Sequence, residues 1–201
     1  MIRNLIFDFG GVLINLDMEA VPRGLRQFGI ELPGQNLMLL SQQYEKGLVT
    51  TDHFLEQTQK ALKGSEIDQV REIWNQTIAD FPVEHLDFLE KLKATGRYRM
   101  YLLSNTNALH MEQVRKTMGM ELFDRFHSCF KAFYLSHEVG MRKPDPEIFQ
   151  FVLDQNGLLA EETLFIDDTQ EHIESAAALG IETWHFRVGV ENILQLHHKL
   201  P

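Results

Sequence analysis

From about residue 97 onward, short apolar runs take turns with amphipathic helical patterns, and few folds accept that rhythm. The runs stand at residues 5–7, 100–103, 129–133, 163–166 and 182–186, each bounded by polar residues or glycine. Apolar runs this short are what strands covered on both faces require. Helical patterns fill the intervals at residues 84–95, 108–118, 146–156 and 171–179, and Gly96, Gly157 and Gly180 are placed to end three of them. Asp145 before Pro146 predicts a helix start, offering an N-cap acceptor and a first residue whose missing N–H costs nothing. Strand and helix in alternation imply a parallel sheet with right-handed crossovers and helices on both faces, a Rossmann-like α/β arrangement.

Residues 16–80 break the rhythm. They carry helical patterns at 36–45, 52–62 and 65–79 and no convincing strand, with Gly47, Gly64 and Pro82 as punctuation and Ser65 with Asp68 as a weak capping box. An all-α helical cap at residues 16–81, inserted into an α/β core of residues 1–15 and 82–201, is the expected division. Met38, Leu39, Leu40, Phe54 and Trp74 have the helical spacing of internal packing within that insertion. The length of 201 residues suffices for one substantial core carrying such an insertion.

Composition narrows the function classes. Nineteen Lys and Arg against twenty-nine Asp and Glu give a formal charge of −10, which repels a nucleic-acid backbone at long range. A small anionic substrate is still admissible, because a bound divalent cation reverses the field inside one cleft. No apolar run approaches the roughly 20 residues that span a bilayer. The single cysteine, Cys129, has no partner for an internal disulfide and reads as a buried hydrophobe, so a cytoplasmic protein with no membrane partner is expected. No His and Cys residues have zinc-ligand spacing, His197 and His198 included.

The chemistry-bearing residues fall at strand ends, where ligands bind in open α/β sheets. Asp8 follows the first run, ahead of Gly10 and Gly11; Ser104-Asn105-Thr106-Asn107 follow the second and combine hydroxyls, amides and backbone N–H groups into an anion cradle. Lys143 sits in the turn Gly140-Met141-Arg142-Lys143-Pro144-Asp145-Pro146, and the fourth run ends in Asp167-Asp168, whose mutual repulsion calls for a hard divalent cation. Acid, hydroxyl, ammonium and paired acids suit a single kind of chemistry, in which a carboxylate attacks phosphorus while cations neutralise the phosphoryl oxygens.

On these residues the chain resembles the haloacid dehalogenase-like superfamily, within it the phosphatases with a helical cap, and most nearly the bacterial sugar-phosphate phosphatases acting on α-D-glucose 1-phosphate. The matching stretches are residues 7–13, 102–107, 140–149 and 165–168. The resemblance implies Asp8 as nucleophile, Ser104 and Asn105 as phosphoryl ligands, and Lys143 as the bridge between nucleophile and phosphate. It implies Mg²⁺ held by Asp8, Asp168 and the backbone carbonyl of Gly10, with Asp167 behind them or sharing the role. A small phosphorylated metabolite, a sugar phosphate for preference, is the implied substrate.

One departure matters. The family pattern puts a second Asp two residues after the nucleophile to protonate the leaving group, and this chain has Gly10 there. General acid–base help is worth about 10²–10⁴-fold. Asn15, Asp17 and Glu45 are the candidates to replace it, and the alternative is a weakened protein that binds Mg²⁺ and a phosphorylated ligand for regulation. A second departure is His172, where many relatives carry Asn; capping of the following helix is the expected role. Halide displacement from a haloacid is disfavoured, since two further carboxylates repel an anionic substrate.

Overall fold

Strands β1 (Asn4–Phe7), β2 (Arg99–Ser104), β3 (Ala132–Leu135), β4 (Thr163–Asp167) and β5 (Glu182–His185) form one parallel sheet in the order β3-β2-β1-β4-β5. The computed structural model describes residues 1–31 and 34–200. The central strand pairs on both sides, Phe7 opposite Leu102 on one edge and Ile166 on the other. Successive side chains point to opposite faces. Leu5 and Phe7 join Met100, Leu102, Leu164 and Ile166 in one buried cluster, whereas Ile6 joins Tyr101, Leu103 and Phe165 in a second. Both faces are therefore covered, which is why the strands read as continuous apolar runs.

Four short helices, α1 (Ala20–Arg26), α2 (Gln35–Glu45), α3 (Thr51–Ala61) and α4 (Ile67–Asn75), follow the first strand. They gather around a third cluster of Leu25, Tyr44, Phe54, Leu55, Leu62 and Val70. The two chain segments that connect them to the sheet run side by side: Leu16 bridges Ile78, and the Asn15 N–H donates to the Asp80 carbonyl at 3.0 Å.

The covering helices are α5 (Val83–Ala94), α6 (Ala108–Met118) and α7 (Met120–Ser128) on the face of Phe7, and α9 (Pro146–Asn156) and α10 (Gln170–Ala178) on the face of Ile6, with the single turn α8 (Ser136–Val139) after β3. Leu109 of α6 belongs to the third cluster, so the inserted helices rest on the core through it. Among the described residues no helix is long and apolar enough to cross a membrane.

Several sequence expectations shift. The apolar run at 129–133 is strand only from Ala132; Cys129 and Phe130 are buried in the turn that closes α7, whose Phe123 and Phe126 follow helical spacing. The pattern at 65–79 shrinks to α4, and its box is formed by Glu66, whose N–H donates to Gln69 Oε1 at 2.8 Å, while Ser65 Oγ is buried without a partner among the described residues. Asp145 precedes α9 but its carboxylate makes no cap; Lys46 Nζ takes it at 2.7 Å. Met38 and Leu39 are exposed rather than packed inside, because the apolar side of α2 that turns inward carries Leu37, Leu40 and Tyr44.

Candidate active site

Sheet order alone assembles the site. Asp8 leaves the central strand, Ser104 ends β2 on one side of it and Asp167 ends β4 on the other, so strand spacing of about 4.8 Å sets their separations. Asp8 keeps its place through its own N–H, which donates to the Ile166 carbonyl at 2.8 Å. Lys143 arrives from beyond β3 and is wholly buried; its Nζ donates to Asp8 Oδ1 at 2.8 Å, Asp167 Oδ2 at 2.6 Å and the Leu103 carbonyl at 2.9 Å. Three donors of one ammonium thus meet three acceptors on three adjacent strands. Asp8, Asp167 and Asp168 bring carboxylate oxygens within 4.8 Å of one another.

Gly11 makes the closest approach possible. Its φ of +75° favours glycine, and a Cβ there would lie 2.5 Å from Asp168 Oδ2. Any side chain at residue 11 would displace one of the acids.

The charges do not balance, since one ammonium faces three carboxylates. Burial, reinforced by Asp167 and Asp168 and opposed by Lys143, pushes the Asp8 carboxyl up to about 7. Burial would raise Asp167 as well, but Lys143 and His172 pull it down to about 2. The two acids differ because Asp167 has further donors: its Oδ1 accepts from the Thr169 N–H at 2.8 Å and lies 2.9 Å from His172 Nδ1. Asp168 is raised by burial and by Asp167, and burial alone would lower Lys143, which both acids nevertheless hold above the usual ammonium range.

Both Asp167 oxygens are therefore spent within the protein, which leaves Asp8 and Asp168 as the carboxylates open to a cation. Gly10 lines the cleft beside them, as do Ser104 and Asn105. The Asn105 side chain also braces the lysine, since its Nδ2 donates to the Lys143 carbonyl at 2.8 Å and its Oδ1 accepts the Lys143 N–H at 2.9 Å. That amide holds the lysine's backbone, so the side chain expected to bind substrate is occupied. His172, expected to cap α10, instead turns back to Asp167. Its position in the first turn of a helix that follows the paired acids was the available signal, because side chains there reach back past the helix start.

The cleft encloses about 430 Å³ and is also lined by Glu45 from α2, by Arg142, and by His110 from the first turn of α6. Glu45 Oε2 accepts from Arg142 Nη2 at 3.1 Å, an ion pair that sequence reasoning missed. Of the other acid candidates, Asn15 donates to the Asp80 carboxylate and Asp17 is bound to Arg23, and neither lines the cleft. A larger cavity of about 940 Å³ opens under Arg3, Arg97, Arg99 and Lys131 and carries no carboxylate. Its lining is drawn from residues 1–3 and 93–131, so it shares nothing with the acid cluster.

Comparison with known proteins agrees with this geometry. The chain is 29% identical over 198 residues to a D-ribitol-5-phosphate phosphatase of Bacteroides thetaiotaomicron, covering 95% of each chain. A HAD family enzyme from the same organism, solved with magnesium, matches at a TM-score of 0.84 and 36% identity over 94% of this chain and 96% of that one. The same enzyme with magnesium and inorganic phosphate matches at 0.77 and 36% identity over 95% and 97%. The family model for haloacid dehalogenase-like hydrolases covers residues 2–180, and with nearly the whole chain matched to it, the protein belongs to that family.

Proposed function

We propose that the protein is a Mg²⁺-dependent phosphatase that hydrolyses a small phosphorylated metabolite through an aspartyl-phosphate on Asp8. The observation that carries this reading is the buried Lys143 ammonium bonded to both Asp8 and Asp167 at the floor of a cleft. A nucleophilic carboxylate needs a neighbour that steadies its charge and that of the incoming phosphoryl group, and an ammonium fixed by three acceptors does so without reorganising.

Asp8, Asp168 and the Gly10 carbonyl would hold the cation, with Asp167 orienting the set from behind through Lys143 and His172. The donor set fits a hard ion: oxygen ligands only, and an excess of negative charge. When bound, Mg²⁺ supplies the charge that keeps Asp8 ionised and offsets the phosphoryl oxygens. Asp8 then attacks phosphorus while Ser104 and Lys143 orient its oxygens, the ester bond breaks, and water later cleaves the acyl-phosphate to free Asp8.

The helices of residues 16–81 act as a cap over a core made of residues 1–15 and 82–201. A cleft of about 430 Å³ suits a metabolite rather than a phosphoprotein. The relative named for D-ribitol 5-phosphate supports a sugar or polyol phosphate as substrate. The one cysteine, unpaired and buried, suits the cytoplasm.

The test is phosphate release from p-nitrophenyl phosphate and from a panel of sugar and polyol phosphates. With chelator, activity is expected to fall at least about 100-fold and to return with Mg²⁺, while Asp168→Asn raises the Mg²⁺ concentration needed for half-maximal rate by about 10–100-fold. Activity that survives chelation, or no phosphate release from any ester, would count against the reading.

A further inference from the structure

The phosphatase reading leaves one role unfilled, the group that moves protons where Gly10 has no side chain. Nor is that space vacant, because a Cβ on Gly10 would lie 2.7 Å from Leu16 Cδ1. The titratable groups that line the cleft beyond the acid cluster and Lys143 are Glu45, His110, Arg142, Glu171 and His172. His172 is bound to Asp167. The His110 ring donates its Nε2–H to the Trp74 carbonyl at 3.2 Å, and burial lowers it to about 4, so at neutral pH it is uncharged and its one ring proton is already committed. Glu171 is exposed, and Arg142 is paired with Glu45.

Glu45 remains. It is the last residue of α2, its side chain is 25% exposed, and among the described residues its Oε2 alone is engaged, by Arg142. Next to it Lys46 pairs with Asp145 at 2.7 Å. Two ion pairs of opposite polarity therefore join the end of α2 to the residues that bracket Lys143, and they fix a carboxyl group of the inserted helices in the lining of the cleft that also holds Asp8. Burial raises Glu45 above the usual carboxylate range despite Arg142, with His172 and Lys143 also opposing.

Resting on the phosphatase reading, we propose that Glu45 of the inserted helices is the general acid and base of the reaction. As Asp8 forms its bond to phosphorus and the P–O ester bond breaks, the leaving oxygen takes the Glu45 proton and departs as an alcohol. The Glu45 carboxylate then accepts a proton from water as that oxygen attacks phosphorus, the Asp8–phosphorus bond breaks, and inorganic phosphate leaves.

Leaving-group dependence separates this role from a purely structural one. With Mg²⁺ present, Glu45→Gln is expected to lower kcat/KM for D-ribitol 5-phosphate, or whichever alkyl phosphate the wild type turns over, by about 10²–10⁴-fold. For p-nitrophenyl phosphate, whose leaving group needs no proton, the loss should stay under about tenfold, while the acyl-phosphate accumulates on Asp8. Lys46→Met breaks the adjacent ion pair and keeps the acid, so it should lower both substrates by one common factor. Equal losses for both esters in Glu45→Gln overturn the proposal, as does a wild type that hydrolyses aryl but no alkyl phosphates. A wild type inactive on every ester overturns the phosphatase reading itself.

Discussion

Asp8→Asn is expected to lower turnover by at least about 10⁴-fold, the scale at which nucleophile removal acts, and at the same time to stabilise the metal-free protein above pH 7. The first effect follows from chemistry, since an amide is a poor nucleophile and cannot form the acyl-phosphate. The second follows from the charge excess. The Asp8 carboxyl stands near 7 in the folded protein against 3.8 for an ordinary one. Between those values the folded state holds a proton that the unfolded chain releases, so stability falls as pH rises through that window and levels off above it. Each unit is worth about 1.4 kcal/mol, so the cost near pH 8 is on the order of a few kcal/mol. Asn carries no charge and escapes it.

The measurement is thermal unfolding in chelator from pH 5 to 8 for both proteins. The difference between them reports Asp8 together with Lys143 and Asp167, to which its charge is coupled, because contributions common to both cancel, among them raised Glu45 and the lowered His110. The variant should melt several degrees higher at pH 8, with the gap closing toward pH 5, at about 2–4 °C per kcal/mol. Added Mg²⁺ should favour the wild type and narrow the difference. Parallel curves, or a variant less stable at pH 8, would mean that Asp8 is not the group carrying the excess charge.

The strands and the chemistry at their ends were legible because each is a local pattern. Apolar runs reveal strands buried on both faces, and residues just past them must lie at the sheet's carboxyl edge. Helices α6 and α9 were placed to the residue, the first because Asn107 accepts the His110 N–H, the second because Pro146 opens it and Gly157, at φ +56°, closes it. What stayed hidden were partners chosen by the order β3-β2-β1-β4-β5. Asp145 has the signature of a helix cap, yet a cation 99 residues away wins its carboxylate, which a one-dimensional pattern cannot record. Asn105 likewise reads as an anion ligand, and only the adjacency of β2 to the Lys143 turn shows that its amide serves that backbone. The run at 129–133 misled for a related reason: a helix end buried beside a strand start looks like one longer strand.

Lys143→Met should destabilise the protein by about 3–5 kcal/mol at pH 8, the usual cost of stranding buried charge, and lower activity at least about 10³-fold. Met has nearly the length of Lys and fills much of the same space, so the loss is electrostatic rather than a cavity effect. Without the ammonium, Asp8 and Asp167 face each other, and the Leu103 carbonyl loses the donor it had at 2.9 Å. Protonation relieves this repulsion, so the deficit should shrink at pH 5, where Asp8 takes up its proton. Mg²⁺ should likewise recover part of the stability by supplying charge, without recovering turnover, because the group that orients the phosphoryl oxygens is gone. Lys143→Arg should not rescue activity: the ammonium is wholly enclosed by three acceptors at 2.6–2.9 Å, and a guanidinium needs a wider space. Urea unfolding at both pH values, with and without Mg²⁺, reads the stability effects, and phosphate release by the same variants reads the turnover. A deficit below about 1 kcal/mol at pH 8 would show that the charge of Asp8 and Asp167 is neutralised by something other than Lys143, since an exposed pair is worth no more than that.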